Sequence, residues 1–265
     1  MRMIVGLDAP SAGEVRVNGR RYAQSRAPLA EVGVLLEAGA VHGGRSAHAH
    51  LRALAQTNGI PRSRVDELVD MVGLREVARR RVGNFSLGMG QRLGIAAALL
   101  GDPDAVVLDE PVNGLDPEGI RWIRDLLRSL AAEGRTVLVS SHLMSEMAVT
   151  ADHLIVVGQG RLIADTSVEE FVDRASTNFV LVRTPEAARL RDALAAPDVT
   201  ATVGADGAVE VRGLTAEQIG RVAFELRIAL FELSPQQASL EEAFMELTHD
   251  AVDYRGLQGA DRVHQ

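Results

Sequence analysis

Apolar residues along this chain follow two rhythms. Short unbroken runs at 105–108 ("AVVL") and 136–139 ("TVLV") read as strands of a parallel sheet buried on both faces. Other stretches repeat at helical spacing. In 62–74 ("RSRVDELVDMVGL"), Val65, Leu68, Val69 and Val72 share one face, and 50–59 shows the same period. Ser86 is placed to N-cap a third helix, which Gly101 and Pro103 stop. A turn over 112–119 leads into a helix over 120–134, on whose apolar face Trp122 falls. A further helix is expected at 144–150, a strand pair over 153–166, and earlier strands at 14–17 and 31–37. Strands alternating with helices predict an α/β parallel sheet covered on both faces, with 105–108 and 136–139 at its centre.

The pattern changes towards the end. A strand at 177–184, a helix at 185–196, a hairpin over 199–213 turning at Asp206-Gly207, a helix at 215–229 and a strand at 230–235 follow in turn. That β-α-β-β-α-β order is ferredoxin-like, and an amphipathic helix at 239–248 closes it. A boundary near 169–176 separates a first domain, 1–168, with a helical subdomain at about 42–98, from an α+β domain, 169–250. A polar tail, 251–265, ends the chain.

Composition narrows the classes. Of 265 residues, 46% are hydrophobic, enough for a core, and 3% are aromatic, so the core is aliphatic. A net charge of −8 argues against non-specific nucleic-acid binding, which needs basic patches. Without cysteine there are no thiolate metal sites. No apolar run is long enough to span a membrane and the start is not a signal peptide, so a cytoplasmic location is expected. Every one of the 28 basic residues is arginine; there is no lysine. The triple arginine at 79–81 reads as a solvated or partner-facing charge run. His48 and His50 read as solvated loop residues with no third ligand.

The candidate chemistry lies at strand tips. Ligands of open parallel sheets bind at the carboxyl ends of the strands, and there Asp109 and Glu110 follow four apolar residues. One carboxylate at such a tip can hold Mg²⁺ opposite substrate phosphates, and a second can activate water. His142 follows the next strand at the same rim.

The stretches "FSLGMGQR" (85–92), "LDEP" (108–111), "NGLDP" (113–117) and "SSH" (140–142), in that order, resemble the nucleotide-binding subunit of an ATP-binding cassette (ABC) transporter. They match its signature sequence, Walker B strand, D-loop and switch histidine. The resemblance covers residues 1 to about 168 and is nearest to the drug and antibiotic exporters with separate membrane subunits. It implies a P-loop NTPase-like sheet, with ATP and Mg²⁺ as ligands. Asp109 would bind Mg²⁺, Glu110 would be the general base, and His142 would contact the γ-phosphate. Asp116 would link the two sites of a homodimer. Ser86, Gly88 and Gly90 would present helix N–H groups to a phosphate. Partners implied are an integral-membrane permease and a second cassette, with the chain peripheral at the inner face of the membrane. Two motifs depart from the family. Leu87 and Met89 replace a Gly and a Gln of the signature, and Glu37 stands where a nucleotide-sensing Gln is usual.

One family element has no counterpart. Relatives hold the β- and γ-phosphates with a Gly-rich loop ending in Gly-Lys-Ser/Thr, and no such stretch occurs in these 265 residues. The opening, "MRMIVGLDAPSAG", resembles the segment that directly follows that loop, and the adenine-stacking aromatic is missing too. The sheet is therefore expected to be N-terminally incomplete. Either the start of a longer protein is placed too late, or the chain is a short variant that cannot hold ATP by itself. Alone it is expected to be inactive and poorly soluble. Alternative readings are an ATP-incompetent regulatory or scaffold subunit, and a non-transport cassette ATPase.

Overall fold

A computed structural model describes residues 1–37, 41–174, 178–236 and 239–248. The expected tail at 251–265 lies outside them. The chain divides into two compact units, Met1–Leu143 and Met144–Gln265.

In the first unit, α1 (Pro28–Glu31) runs into β1 (Val32–Leu35). Three helices follow: α2 (Ala47–Thr57), α3 (Arg62–Met71) and α4 (Leu87–Ala98). Then come β2 (Ala105–Asp109), α5 (Pro117–Ala132) and β3 (Thr136–Ser140). The strands form one parallel sheet in the order β1-β2-β3. Register places Leu35 beside Leu108, Leu108 beside Val139, and Asp109 beside Ser140.

Side chains alternate across a sheet. The face carrying Leu35, Val106, Leu108, Val137 and Val139 belongs to the core that also holds Leu93 and Ile95 of α4 and Ile123, Leu127 and Leu130 of α5. Helix α4 approaches β1 closely. A Cβ on Gly94 would sit 2.5 Å from Leu35 Cδ1, and one on Gly33 would sit 2.0 Å from the Ala98 carbonyl oxygen. The opposite face carries Val32 and Val107, both buried. Thus α4 and α5 pack on the same face, and the burial of Val32 and Val107 shows that the other face is covered too. The expected centre shifts. β2 is buried through its middle, whereas Val137, Leu138 and Val139 of β3 are all partly exposed. β3 is an edge strand among the described residues.

Three further expectations are corrected. The strand expected at 14–17 does not form; only a bridge between Val17 and Arg20 is present. Four alternating residues with no partner strand gain too little to be fixed. His48 and His50 lie on α2, not in a loop, because Ser46 caps a helix that starts three residues earlier than the apolar period suggested. His48 Nε2 meets Asp66 Oδ1 at 3.1 Å, and burial, followed by Arg45, pushes His50 below its ordinary imidazole range. Helix α5 starts at Pro117, three residues early, because Asp116 accepts the Gly119 N–H at 2.8 Å and proline suits the first helical turn. The arginines at 79–81 are exposed, as a solvated or partner-facing run requires.

The second unit contains α6 (Met144–Thr150), an antiparallel pair β4 (His153–Gly158) and β5 (Arg161–Ser167), and α7 (Val168–Asp173). It continues with β6 (Phe179–Arg183), α8 (Ala187–Ala193), β7 (Thr200–Val203), β8 (Val209–Arg212), α9 (Ala216–Glu225), β9 (Glu232–Gln236) and α10 (Leu240–Thr248). Strands β7-β8-β6-β9 form a four-stranded sheet in which every neighbour is antiparallel, the ferredoxin-like arrangement. Val180, Val182, Val209 and Val211 pack against Leu190 of α8 and Ile219 and Ala223 of α9. Among the described residues, no helix is long and apolar enough to cross a membrane.

Candidate active site

The carboxyl ends of β2 and β3 are adjacent because the strands are parallel neighbours in register. Asp109, the last residue of β2, therefore lies beside Ser140, the last of β3. The Ser140 hydroxyl donates to Asp109 Oδ1. The same hydroxyl oxygen accepts the Glu110 N–H at 3.0 Å, and the Ser140 carbonyl oxygen shares that N–H at 3.2 Å.

Glu110 leaves the strand in the left-handed region, with φ +48°. For a side-chain-bearing residue this costs roughly 1–2 kcal/mol, and it persists only where the surroundings fix it. The consequence is directional. The chain turns sharply off the sheet, and the Glu110 carboxylate meets the His142 imidazole, with Nδ1 2.9 Å from Oε2. The His142 side chain is 63% exposed and that of Glu110 30%, so the pair faces solvent at the rim. Asp109, Glu110 and His142 are thus brought together as their strand-tip positions implied.

The signature residues begin α4. Ser86 is exposed and its hydroxyl accepts the Met89 N–H at 3.2 Å, a cap worth about 1 kcal/mol. Gly88 lies in the first turn, where a Cβ would stand 3.0 Å from the Gly114 carbonyl oxygen. A Cβ on Gly114, at φ +74°, would meet Leu87 Cδ2 at 2.3 Å. The loop before Asp116 therefore nests on the start of α4 at glycines on both sides. The Gly90 N–H bonds the Ser86 carbonyl oxygen at 2.9 Å as an ordinary helix residue. Asp116 is exposed and caps α5. Glu37 is exposed two residues past β1. Arg2 is held above its ordinary range first by Asp8 and to a smaller extent by Glu37.

Two residues at the rim were not singled out from the sequence. Gln91 is 4% exposed on α4, and its Nε2 donates to the Glu110 carbonyl oxygen at 3.1 Å. An amide on the buried face of a helix whose other residues, Arg92 apart, are small or apolar was the available signal. Ser140 carried a signal too, being the last strand residue before "SH" and in register with Asp109. Arg92, next to Gln91, lies over the Trp122 ring at 4.5 Å and donates to the Val72 carbonyl oxygen at 3.1 Å, so Trp122 does more than line the core.

Comparison with known proteins agrees with this geometry. The profile of the ABC transporter family matches residues 1–113, and that of a domain of unknown function (DUF8746) matches 178–241. The ABC transporter ATP-binding protein YhcH of Bacillus subtilis is 35% identical over 260 residues, covering 96% of this chain and 83% of its own length. The chain belongs to the ATP-binding proteins of ABC transporters. Other members of this ABC family are similar over shorter stretches. The bacitracin transport ATP-binding protein BcrA of Bacillus licheniformis is 37% identical over 177 residues, 66% of this chain and 58% of its own. The lantibiotic transport ATP-binding protein SrtF of Streptococcus pyogenes is 36% identical over 165 residues, 62% of this chain and 71% of its own. A solved ATP-binding subunit of an ABC transporter superposes with a TM-score of 0.59 at 24% identity, covering 65% of this chain and 74% of that one, a likeness of fold.

Members of this ABC family bind ATP, and the rim fits that ligand's chemistry. Among the described residues no group of three or more His, Asp and Glu is placed to hold a metal unaided. Mg²⁺ in phosphate sites typically takes only one or two carboxylates, keeps several waters and shares the substrate's oxygens. A carboxylate tied to a hydroxyl beside a second carboxylate is a suitable donor set.

Proposed function

We propose that this chain is the ATP-hydrolysing drive subunit of an ABC exporter, acting through a separate membrane permease and a second cassette at the cytoplasmic face of the membrane. The observation that carries the reading is the 2.9 Å contact between Glu110 and His142 at a parallel-sheet rim, with Asp109 alongside. Glu110 takes the proton of the attacking water as its oxygen closes on the γ-phosphorus and the bond to the β-phosphate bridge breaks. With Nδ1 engaged by Glu110, His142 has Nε2 left to face a γ-phosphate oxygen. Asp109 would hold Mg²⁺, which when bound neutralises charge on the β- and γ-phosphates. Ser86, Gly88 and Gly90 offer the start of α4 to the ATP of the opposing cassette, Asp116 links the two sites, and Glu37 takes the place of the nucleotide-sensing Gln. The cassette extends to about residue 168, and the antiparallel domain over 169–250 is its accessory domain. The likeness to bacitracin and lantibiotic transport proteins supports an antibiotic as the exported cargo.

No lysine exists among the 265 residues to close a phosphate loop. The chain by itself is therefore expected to turn over no ATP. A form extended at its N-terminus by the Gly-rich phosphate loop of a relative restores turnover. In that form Glu110→Gln lowers kcat by a factor of about 10²–10⁴ while ATP still binds. Undiminished turnover in the variant would remove Glu110 from the mechanism, and no turnover in either form would favour a scaffold role.

A further inference from the structure

The peptide of Glu110 is held from both sides. Its N–H is bound by the Ser140 hydroxyl and carbonyl oxygens, at 3.0 and 3.2 Å. Its carbonyl oxygen accepts two N–H groups at 3.1 Å, one from Gln91 Nε2 and one from the Asn113 backbone. Asn113 lies on the same turn and moves with it. Gln91 does not, since it belongs to α4, the helix opened by Ser86. The peptide so held is the one at φ +48°, and that turn aims the carboxylate at His142. A strained backbone persists only when neighbouring groups over-determine it.

We propose that Gln91 and Ser140 are positioning residues that clamp the Glu110 peptide in its left-handed turn, and that Gln91 ties the signature helix to the hydrolytic carboxylate within one chain. Gln91 is 4% exposed, so removing its donor leaves the Glu110 carbonyl oxygen with the turn's own bond alone, and water cannot readily replace it. Ser140 acts on both acids at once, since one hydroxyl donates to Asp109 and accepts from Glu110. A displacement of α4, whose start faces the nucleotide of the opposing cassette, then pulls on the carbonyl of Glu110. This inference rests on the reading of Glu110 as the general base, but its test uses no nucleotide.

The test uses the full 265-residue chain in three variants. Gln91→Met keeps the volume and removes the donor, Ser140→Ala removes the hydroxyl, and Ser140→Thr keeps it. Two quantities are read by NMR: amide hydrogen exchange across 87–115, and the ¹⁵N resonance of His142 Nδ1. Gln91→Met and Ser140→Ala are expected to speed exchange of the Glu110 and Asn113 amides at least tenfold. They also move the Nδ1 signal towards that of a freely tautomerising imidazole, and Ser140→Thr restores both. Exchange within twofold of wild type in Gln91→Met and Ser140→Ala would overturn the clamp. Acceleration spread evenly over α4 and β2, or a failure of Ser140→Thr to rescue, would reduce these residues to packing and overturn it as well. Loss of the ATPase reading, seen as unchanged turnover in Glu110→Gln, leaves these exchange results standing.

Discussion

The chain contains two principal sheets, and they treat charge differently. In β1-β2-β3 the strands are parallel, so their carboxyl ends meet at one rim, and Asp109, Glu110 and His142 converge there. In β7-β8-β6-β9 neighbours run antiparallel, so successive strand ends fall on opposite edges. Charges on that sheet neutralise one another: Arg183 pairs with Asp206 at 2.9 Å and Glu232 at 3.0 Å. At the parallel rim no arginine pairs with Asp109 or Glu110 among the described residues; their partners are a hydroxyl and an imidazole. Topology therefore concentrates acids at one end of one sheet, the rim where the proposed function places the cation and the phosphates.

The contrast can be broken in order of expected effect. Leu108→Ala, under the acid rim and 1% exposed, should cost about 2–5 kcal/mol of stability by cavity formation. Leu190→Ala, buried behind the antiparallel sheet, should cost about as much. Denaturant unfolding checks both, and only Leu108→Ala should also disturb the Glu110 and His142 resonances. Asp116→Ala removes the cap of α5 and should cost about 1 kcal/mol, read from the same unfolding curves. Arg183→Met should cost less than about 1 kcal/mol, because its ion pairs are exposed, and should leave the rim untouched.

The smallest effect is a pH dependence. Burial lowers the pKa of His50 from 6.5 in the folded state, so the unfolded chain binds its proton at higher pH. Folded stability is then unaffected well above 6.5 and falls as pH drops through that value and below. Thermal unfolding between pH 7.5 and 5 should show this loss, and His50→Gln should shrink it.

Much of this was legible in the sequence. Ser86 was readable as a cap because a hydroxyl preceded an apolar helix, and the ferredoxin-like order followed from segment lengths and the Asp206-Gly207 turn. The acid tip was readable because four apolar residues end at Asp109. The edge position of β3 was not, since "TVLV" is as apolar as a central strand and pairing partners are non-local. The left-handed turn at Glu110 was hidden because its stabilising groups come from residues 91 and 140, distant in sequence. The start of α2 was missed because Ala47 and His48 add little to the apolar period, although Ser46 was there to cap it.

The most direct test of the account asks where the phosphates and their metal sit. Mn²⁺·ATP can be added to the chain extended by a phosphate loop, with paramagnetic broadening read by NMR across both sheets. The account requires the resonances of Asp109, Glu110 and His142 to broaden first, ahead of those of Ala105 and Thr136 at the other end of the same strands. Broadening centred on the antiparallel sheet, or none at the rim with ATP demonstrably bound, would contradict it.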